Sequence, residues 1–168
     1  DVAKSGNTVV TYEGAPKPAE WGLSVPATLN LNKNDKKWYF NNAKVAILDS
    51  TGGEYSGKTP QKFIVSGTSS VVKNDKVGMT ADPQKNNYLA PLNMYVANQG
   101  DNEPASPASG SFQTTQTTNT LQNIEFDSSK GKVYKYIQFA LWKDDLTEND
   151  QKKTLSSTIS WTASEKTP

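Results

Sequence analysis

The chain of 168 residues contains no cysteine, no histidine and no arginine, and all eighteen of its basic residues are lysine. Without cysteine there is no disulfide, no thiolate nucleophile and no thiolate metal site, and without histidine there is no near-neutral general base. The planar fork with which arginine grips phosphate or carboxylate is missing as well. These absences remove most catalytic chemistry, so we expect a protein that is not an enzyme and that binds neither a cofactor nor a metal.

Long apolar runs and a strong net charge are also absent. No stretch approaches the roughly 20 residues that a membrane-spanning helix needs. Eighteen lysines against seventeen acidic residues leave a formal net charge of +1, whereas a protein that neutralises nucleic-acid phosphates concentrates positive charge. The sequence therefore predicts no membrane span and no nucleic-acid partner.

The chain is rich in aromatic residues, sixteen in all, and in short β-branched runs separated by Gly, Pro, Asn and Asp. Helical spacing of apolar residues is hard to find, whereas period-two alternation recurs, which is typical of an all-β protein. At this length one domain is the default. We therefore predict a single domain over residues 1–168, folded as an antiparallel β-sandwich of immunoglobulin-like or related Greek-key type.

Five segments carry the strand pattern most clearly. Asn7–Tyr12 is predicted as a first strand, and Trp21–Leu31 places its apolar residues on nearly one parity. Lys37–Leu48 follows as a third. Lys132–Trp142 is apolar on both parities, as a central strand covered on two sides is. Thr154–Ala163 shows the cleanest alternation of apolar and polar residues, which predicts a strand with one buried face.

Asn98–Gly110 is the one long segment without an apolar period. It is composed mainly of Asn, Gly, Pro, Ser and Ala, and such a stretch in a compact domain is usually functional or mobile. We predict one long mobile loop here. As a surface excursion it would also be available for contact with a partner.

Segment 144–150 holds the only acidic cluster, formed by Asp144, Asp145, Glu148 and Asp150. Oxygen-rich loops can hold calcium, but this spacing fits no EF-hand loop. The neighbouring lysines favour a solvated turn, so no metal site is predicted and calcium remains an open alternative. A glycosidase that uses Asp144 or Glu148 would need two acids facing each other across a cleft, which the sequence does not show.

The tryptophans are the remaining candidates for ligand contact. An exposed Trp or Tyr ring stacks on sugar rings, while a buried one fills a core. Trp21 and Trp161 lie on apolar parities, which favours core packing. Trp38, Tyr39 and Trp142 lie at strand ends, where a ring can stay partly exposed, so we predict that these three contact a ligand.

Two short motifs, Trp-Gly-Leu at Trp21–Leu23 and Thr-Ile-Ser-Trp-Thr at Thr158–Thr162, resemble those of the WxL domains of Gram-positive bacterial surface proteins. WxL domains carry one Trp-Xaa-Leu and a second, C-terminal motif built around Leu-Thr-Trp-Xaa-Leu. Here Ala163 replaces the last Leu of the second motif. The resemblance implies an extracellular location at the cell surface and non-covalent attachment to the peptidoglycan wall. It also implies wall contact through Trp21, Leu23 and Trp161.

Two functions are therefore expected, and neither is enzymatic. The first is an extracellular module of a Gram-positive bacterium that attaches to peptidoglycan or another cell-wall polymer. The alternative is an adhesin or structural surface protein whose ligand is a host protein, a glycan or a neighbouring surface component. In that case the Asn98–Gly110 loop and the strand-end aromatics Trp38, Tyr39 and Trp142 would form the contact surface.

Overall fold

A computed structural model describes residues 2–10, 12, 20–56, 60–73, 76–81, 92–107, 116–117 and 120–166. Strands arranged in antiparallel sheets dominate this part of the chain. Its helical segments are one 3-10 turn and one α-helix of four residues. None of its helices has the length and apolar character that crossing a membrane requires. The all-β class predicted from the sequence is confirmed.

The structure describes twelve strands. In order they are β1 Trp21–Ser24, β2 Lys33–Asn34, β3 Trp38–Asp49, β4 Lys62–Ser69, β5 Val72–Lys73, β6 Lys76–Met79, β7 Leu92–Asn93, β8 Tyr95–Gly100, β9 Gln116–Thr117, β10 Thr120–Asp127, β11 Tyr134–Trp142 and β12 Ile159–Lys166. The 3-10 turn Lys143–Asp145 and the helix α1 Glu148–Gln151 lie between β11 and β12.

The first sheet has the strand order β1-β3-β11-β8, and β2 also pairs with β3. Its centre is the pair β3 and β11, which run antiparallel from Trp38↔Trp142 to Ala46↔Tyr134. Every residue of β11 from Ile137 to Leu141 is buried. The predicted central strand covered on two sides is therefore confirmed, because β11 has a strand on each edge and apolar neighbours on each face.

The second sheet has the order β12-β4-β10-β9, and a third, smaller sheet has the order β5-β6-β7. The alternation predicted for the last strand is confirmed in β12, although the strand extends over Ile159–Lys166 and not over the predicted Thr154–Ala163. Ile159, Trp161 and Ala163 are half-buried, whereas Ser160 and Thr162 are exposed. β12 is an edge strand, and its side chains point alternately toward the core and toward solvent.

One apolar core draws side chains from both larger sheets. It combines Ala43, Val45, Ile47, Val96, Ile137 and Phe139 of the first sheet with Phe63, Val65, Leu121, Ile124 and Phe126 of the second. The ring of Trp21 on β1 lies 4.9 Å from that of Phe63 on β4, so an aromatic contact joins the two sheets directly. Val77 of the small sheet belongs to the same cluster.

A segment after β8 covers the outer face of the first sheet. The buried Gln138 side chain donates a hydrogen bond of 2.7 Å to the Ala105 carbonyl, and buried Asn42 donates one of 3.0 Å to the Pro104 carbonyl. Asn98–Gly100, predicted as the start of a loop, are instead the end of β8. The rest of the predicted loop is irregular as far as residue 107, but it is tied to the sheet because buried amides need partners. Residues 108–110 lie outside the described residues.

Two other predicted strands differ from the structure. Residues 7–10 and 12 form no strand, because nothing in the described chain pairs with them. The strand predicted over Trp21–Leu31 ends at Ser24, shortly before Pro26, which cannot donate to a ladder. Leu29 and Leu31 still pack against the core. The prediction that the apolar side chains of this segment face inward therefore holds for these two residues beyond the end of the strand.

Gly67 on β4 allows the last strand to approach closely. A methyl group at this position would lie 2.9 Å from Ile159 Cγ2 and 3.2 Å from Trp161 Cε3. Atoms do not pack at 2.9 Å without movement, so the absence of a side chain at Gly67 lets Trp161 lie against the sheet.

The variant Gly67→Ala is therefore expected to lower the free energy of unfolding by about 1 to 3 kcal/mol through overpacking. Gly22→Ala is the matched control, because a methyl group there meets no atom within 4 Å. Chemical denaturation of both variants checks the prediction. Equal stability of the two variants would contradict the close approach at Gly67.

Candidate functional site

The two motif-bearing strands flank one gap between the sheets, which we call the seam. β1 is an edge of the first sheet and β12 is an edge of the second. The Trp21 Nε1–H donates a hydrogen bond of 2.8 Å to Glu165 Oε1, so a side chain of β1 reaches β12. Residues from opposite ends of the sequence thus meet at one place.

The seam is closed at one end by Trp21 and open at the other. The open part, the seam groove, has a volume of about 360 Å³ and lies between residues 26–31 and residues 157–161. Its apolar lining includes Leu29, Leu31, Met94, Phe139, Ile159 and Trp161. An apolar cleft of this size suits an apolar side chain or ligand better than a charged one.

The three residues that the WxL resemblance implies for wall contact all lie at the seam or beside it. Trp21, Leu23 and Trp161 are half-buried and pack against the shared core. The structure therefore places both motifs against the same core. The Trp21 ring covers Phe63 of the other sheet and the Trp161 ring lies against Gly67 of its own sheet, so both rings have much of the environment of a core residue.

Tyr39 lines a second groove, the Tyr39 groove, with a volume of about 390 Å³. Leu31, Leu141 and Leu146 contribute apolar surface to it, while Asn30, Asp150, Gln151, Lys153 and Thr154 contribute polar groups. The Lys143 ammonium lies 4.7 Å from the centroid of the Tyr39 ring. An aromatic ring among amide, hydroxyl and carboxylate groups is the arrangement that recognises a sugar, by stacking and by hydrogen bonds.

Trp38 is buried, so the prediction that its ring stays partly exposed is wrong, whereas Trp142 is exposed. Trp38 is only 5% exposed and makes an edge-to-face contact with Tyr95 at 5.5 Å on the covered outer face. The Asp35 side chain accepts hydrogen bonds from the backbone N–H groups of Lys37 and Trp38, and β3 begins at Trp38. Trp142 stands opposite Trp38 but is 39% exposed.

One member of the acidic cluster, Asp150, caps a helix. Asp150 Oδ2 accepts the Thr147 N–H at 2.9 Å, and Thr147 Oγ1 accepts the Asp150 N–H at 3.1 Å, which is a reciprocal capping box. The spacing Thr-Xaa-Xaa-Asp is the sequence signal that could have identified this role. Among the residues that the structure describes, no three acidic side chains are grouped so that they could hold a metal ion.

Burial raises the pKa of the Asp145 carboxyl above its usual value, and the nearby Asp144 adds to the effect. The Tyr95 hydroxyl, 3.5 Å from Asp145 Oδ2, opposes the shift. Asp144 and Glu148 are exposed. The cluster therefore combines one partly desolvated carboxyl with exposed neighbours and a capping residue.

A third groove, the lysine groove, was not found by sequence reasoning. It has a volume of about 470 Å³ and is lined by Lys62, Lys130, Lys132, Lys135 and Lys166 together with Asp101, Glu125 and Asp127. These lysines come from separate strands and a turn, so no run of charge marks them in the sequence. Lys166 Nζ lies 2.6 Å from Glu125 Oε1, and this ion pair lowers the pKa of Glu125 below its usual value.

Comparison with protein-family models, with curated proteins and with solved structures finds no match to this chain. The geometry of the seam and grooves and the two motifs are therefore the features that bear on its function.

Replacing Trp161 with Ala is expected to lower the free energy of unfolding by about 3 kcal/mol, because the ring fills space between β4 and the seam groove. Trp142→Ala is the control and should change stability by no more than about 0.5 kcal/mol, since its ring covers little of the core. Urea denaturation of both variants measures the difference. A stability loss for Trp142→Ala as large as that for Trp161→Ala would contradict these placements.

The carboxyls of Glu125 and Asp145, whose pKa values are shifted in opposite directions, have opposite effects on the pH dependence of stability. The lowered pKa of Glu125 means that its contribution is present above its unfolded pKa of about 4.3 and is lost as the pH falls through the folded value. The raised pKa of Asp145 means that its ionisation costs stability as the pH rises.

Glu125→Gln is therefore expected to be less stable than wild type at pH 7 and to show a smaller loss between pH 6 and pH 3. Asp145→Asn should not lose stability at pH 7. Urea unfolding of both variants across this pH range checks the signs. Equal losses for the two variants at pH 7 would be the contrary result.

Proposed function

We infer that the two larger sheets form an antiparallel β-sandwich of immunoglobulin-like or related Greek-key type. The shared core supports this inference, as do the connections that pass from one sheet to the other between β3 and β4, between β10 and β11, and between β11 and β12. The Trp21–Phe63 contact supplies a direct test. A nuclear Overhauser signal between the two rings is expected, and its absence would count against the packing.

We propose that the chain is a non-enzymatic, extracellular surface module of a Gram-positive bacterium that attaches to cell-wall peptidoglycan, as WxL domains do. The packing of both motifs against one core carries this proposal, and Trp21 of the first motif also donates a hydrogen bond to Glu165, three residues beyond the second motif. The half-burial of Trp21 and Trp161 gives these residues a role in holding the two motif strands together.

The Tyr39 groove is the surface that we assign to the wall glycan. It adjoins the seam groove, because Leu29, Leu31 and Met79 line both. A sugar ring could stack on Tyr39 and bond with Asn30 and Gln151. The lysine groove suits a neutral sugar less well, because five lysines and three acids line it, whereas one lysine and one acid line the Tyr39 groove.

The alternative function is an adhesin or structural surface protein that binds a host protein, a glycan or a neighbouring surface component. The exposed ring of Trp142 favours it, because partly exposed tryptophans are frequent anchors of protein interfaces. A domain that stays in solution with purified wall material, yet binds a surface partner that Trp142→Ala releases, would support this alternative over wall attachment.

Wild-type protein is expected to co-sediment with purified peptidoglycan. Tyr39→Leu keeps an apolar side chain but removes the stacking ring and the hydroxyl, so it should weaken binding by about tenfold, or about 1.4 kcal/mol. Tyr134→Leu is the matched control, because Tyr134 is also half-buried and has a lysine over its ring but lines the lysine groove.

Sedimentation of the three proteins is compared after their melting temperatures are shown to be equal. It tests both wall attachment and the assignment of the Tyr39 groove. Wild-type protein that remains in the supernatant, where a known wall binder sediments, would refute wall attachment. Equal binding by Tyr39→Leu and Tyr134→Leu would leave wall attachment standing but refute the assignment of the Tyr39 groove.

A further inference from the structure

The segment Asn7–Tyr12 has strong strand propensity, yet its described residues join no sheet in the described part of the chain. Five of its six residues are β-branched or aromatic. Val9, Val10 and Tyr12 are 87%, 88% and 93% exposed. Four of the six large apolar side chains that are exposed in the described residues lie at positions 2 to 12. Apolar exposure concentrated in one segment marks an interaction site.

The outer edge of β12 lacks a partner strand within the described residues. β12 pairs with β4 alone, and no backbone hydrogen bond joins it to residues 25–31 across the seam. The Thr158 carbonyl accepts a hydrogen bond from the Ser70 N–H. The alternation of an antiparallel ladder therefore turns the backbone groups of Ile159, Trp161 and Ala163 away from β4.

The edge of β12 also lacks the usual protection against pairing. Natural proteins guard exposed edges with Lys, Pro or a bulge, and the six residues Ile159–Ser164 contain no charged residue and no proline. The seam groove runs beside this edge and is lined by Ile159 and Trp161. A strand placed here would gain backbone partners and an apolar cleft together.

We propose that residues Asn7–Tyr12 of one copy of this chain add as a new edge strand to β12 of a second copy. Val10 and Tyr12 share one parity, so both can face the seam groove while Thr11 faces solvent beside Ser160, Thr162 and Ser164. The contact joins two different surfaces and so is heterologous, which allows head-to-tail chains to grow. It does not depend on attachment to the cell wall.

The donor is assigned to a second copy because both surfaces are uncovered within the described part of the chain. Val9 and Val10 are exposed and the seam groove is open in the same molecule. The sequence between the segment and β1 contains Pro16 and Pro18, and this composition favours an extended connection and therefore donation to a neighbour.

Light scattering on the full chain over a wide concentration range tests assembly. Wild-type protein should form dimers and longer species as concentration rises. Val10→Asp and Tyr12→Asp should each raise the concentration for half-assembly by about tenfold or more, because a charge would enter an apolar cleft. Val2→Asp is the matched control, since Val2 is equally exposed but lies outside the segment. All three should melt as wild type does.

The absence of cysteine makes a disulfide test specific. Thr11→Cys protein mixed with Ser160→Cys, Thr162→Cys or Ser164→Cys protein should form a heterodimer under mild oxidation for at least one of the three. A chain that stays monomeric at every concentration would overturn the proposal. So would equal assembly defects in Val2→Asp and Val10→Asp, or crosslinks that form only within one chain when both cysteines are placed together.

Discussion

Burial of one apolar core between two antiparallel sheets is the constraint on which the rest of this molecule depends. The chain cannot form a disulfide and has no histidine or cysteine with which to bind a structural zinc ion, so packing must supply its stability. β3 and β11 provide one inner face of the core, while β4 and β10 provide the other. Because Gly67 has no side chain, β12 and Trp161 can close against this core and form one side of the seam.

The same packing explains why the candidate sites lie at the margins of the core. Each groove opens at an edge of the packed sheets. The seam groove lies along the seam, the Tyr39 groove lies beside α1, and the lysine groove lies between β4, β10 and β11. In and around these grooves the described surface carries ion pairs of lysine with glutamate and one capped helix.

Local pattern was sufficient to predict β3, β11 and β12, because alternation and two-sided burial are written directly in the residues of each strand. It was insufficient for Trp38, whose ring packs in a cluster with Phe40, Ala97, Ala140 and Tyr95 that forms only when three strands of the first sheet come together. The lysine groove was missed for a similar reason, since its charges meet only after the sheets form. Asn7–Tyr12 shows the reverse case, a segment with strand propensity that pairs with no strand among the residues that the structure describes.

Hydrogen exchange on the full chain, with and without soluble peptidoglycan fragments, tests the central claim of wall recognition most directly. The account predicts slower exchange in the peptide segments that line the Tyr39 groove, residues 29–31 and 146–155, with no change around Lys130 and Lys132 in the lysine groove. An unchanged exchange pattern at saturating fragment, or protection confined to the lysine groove, would contradict it.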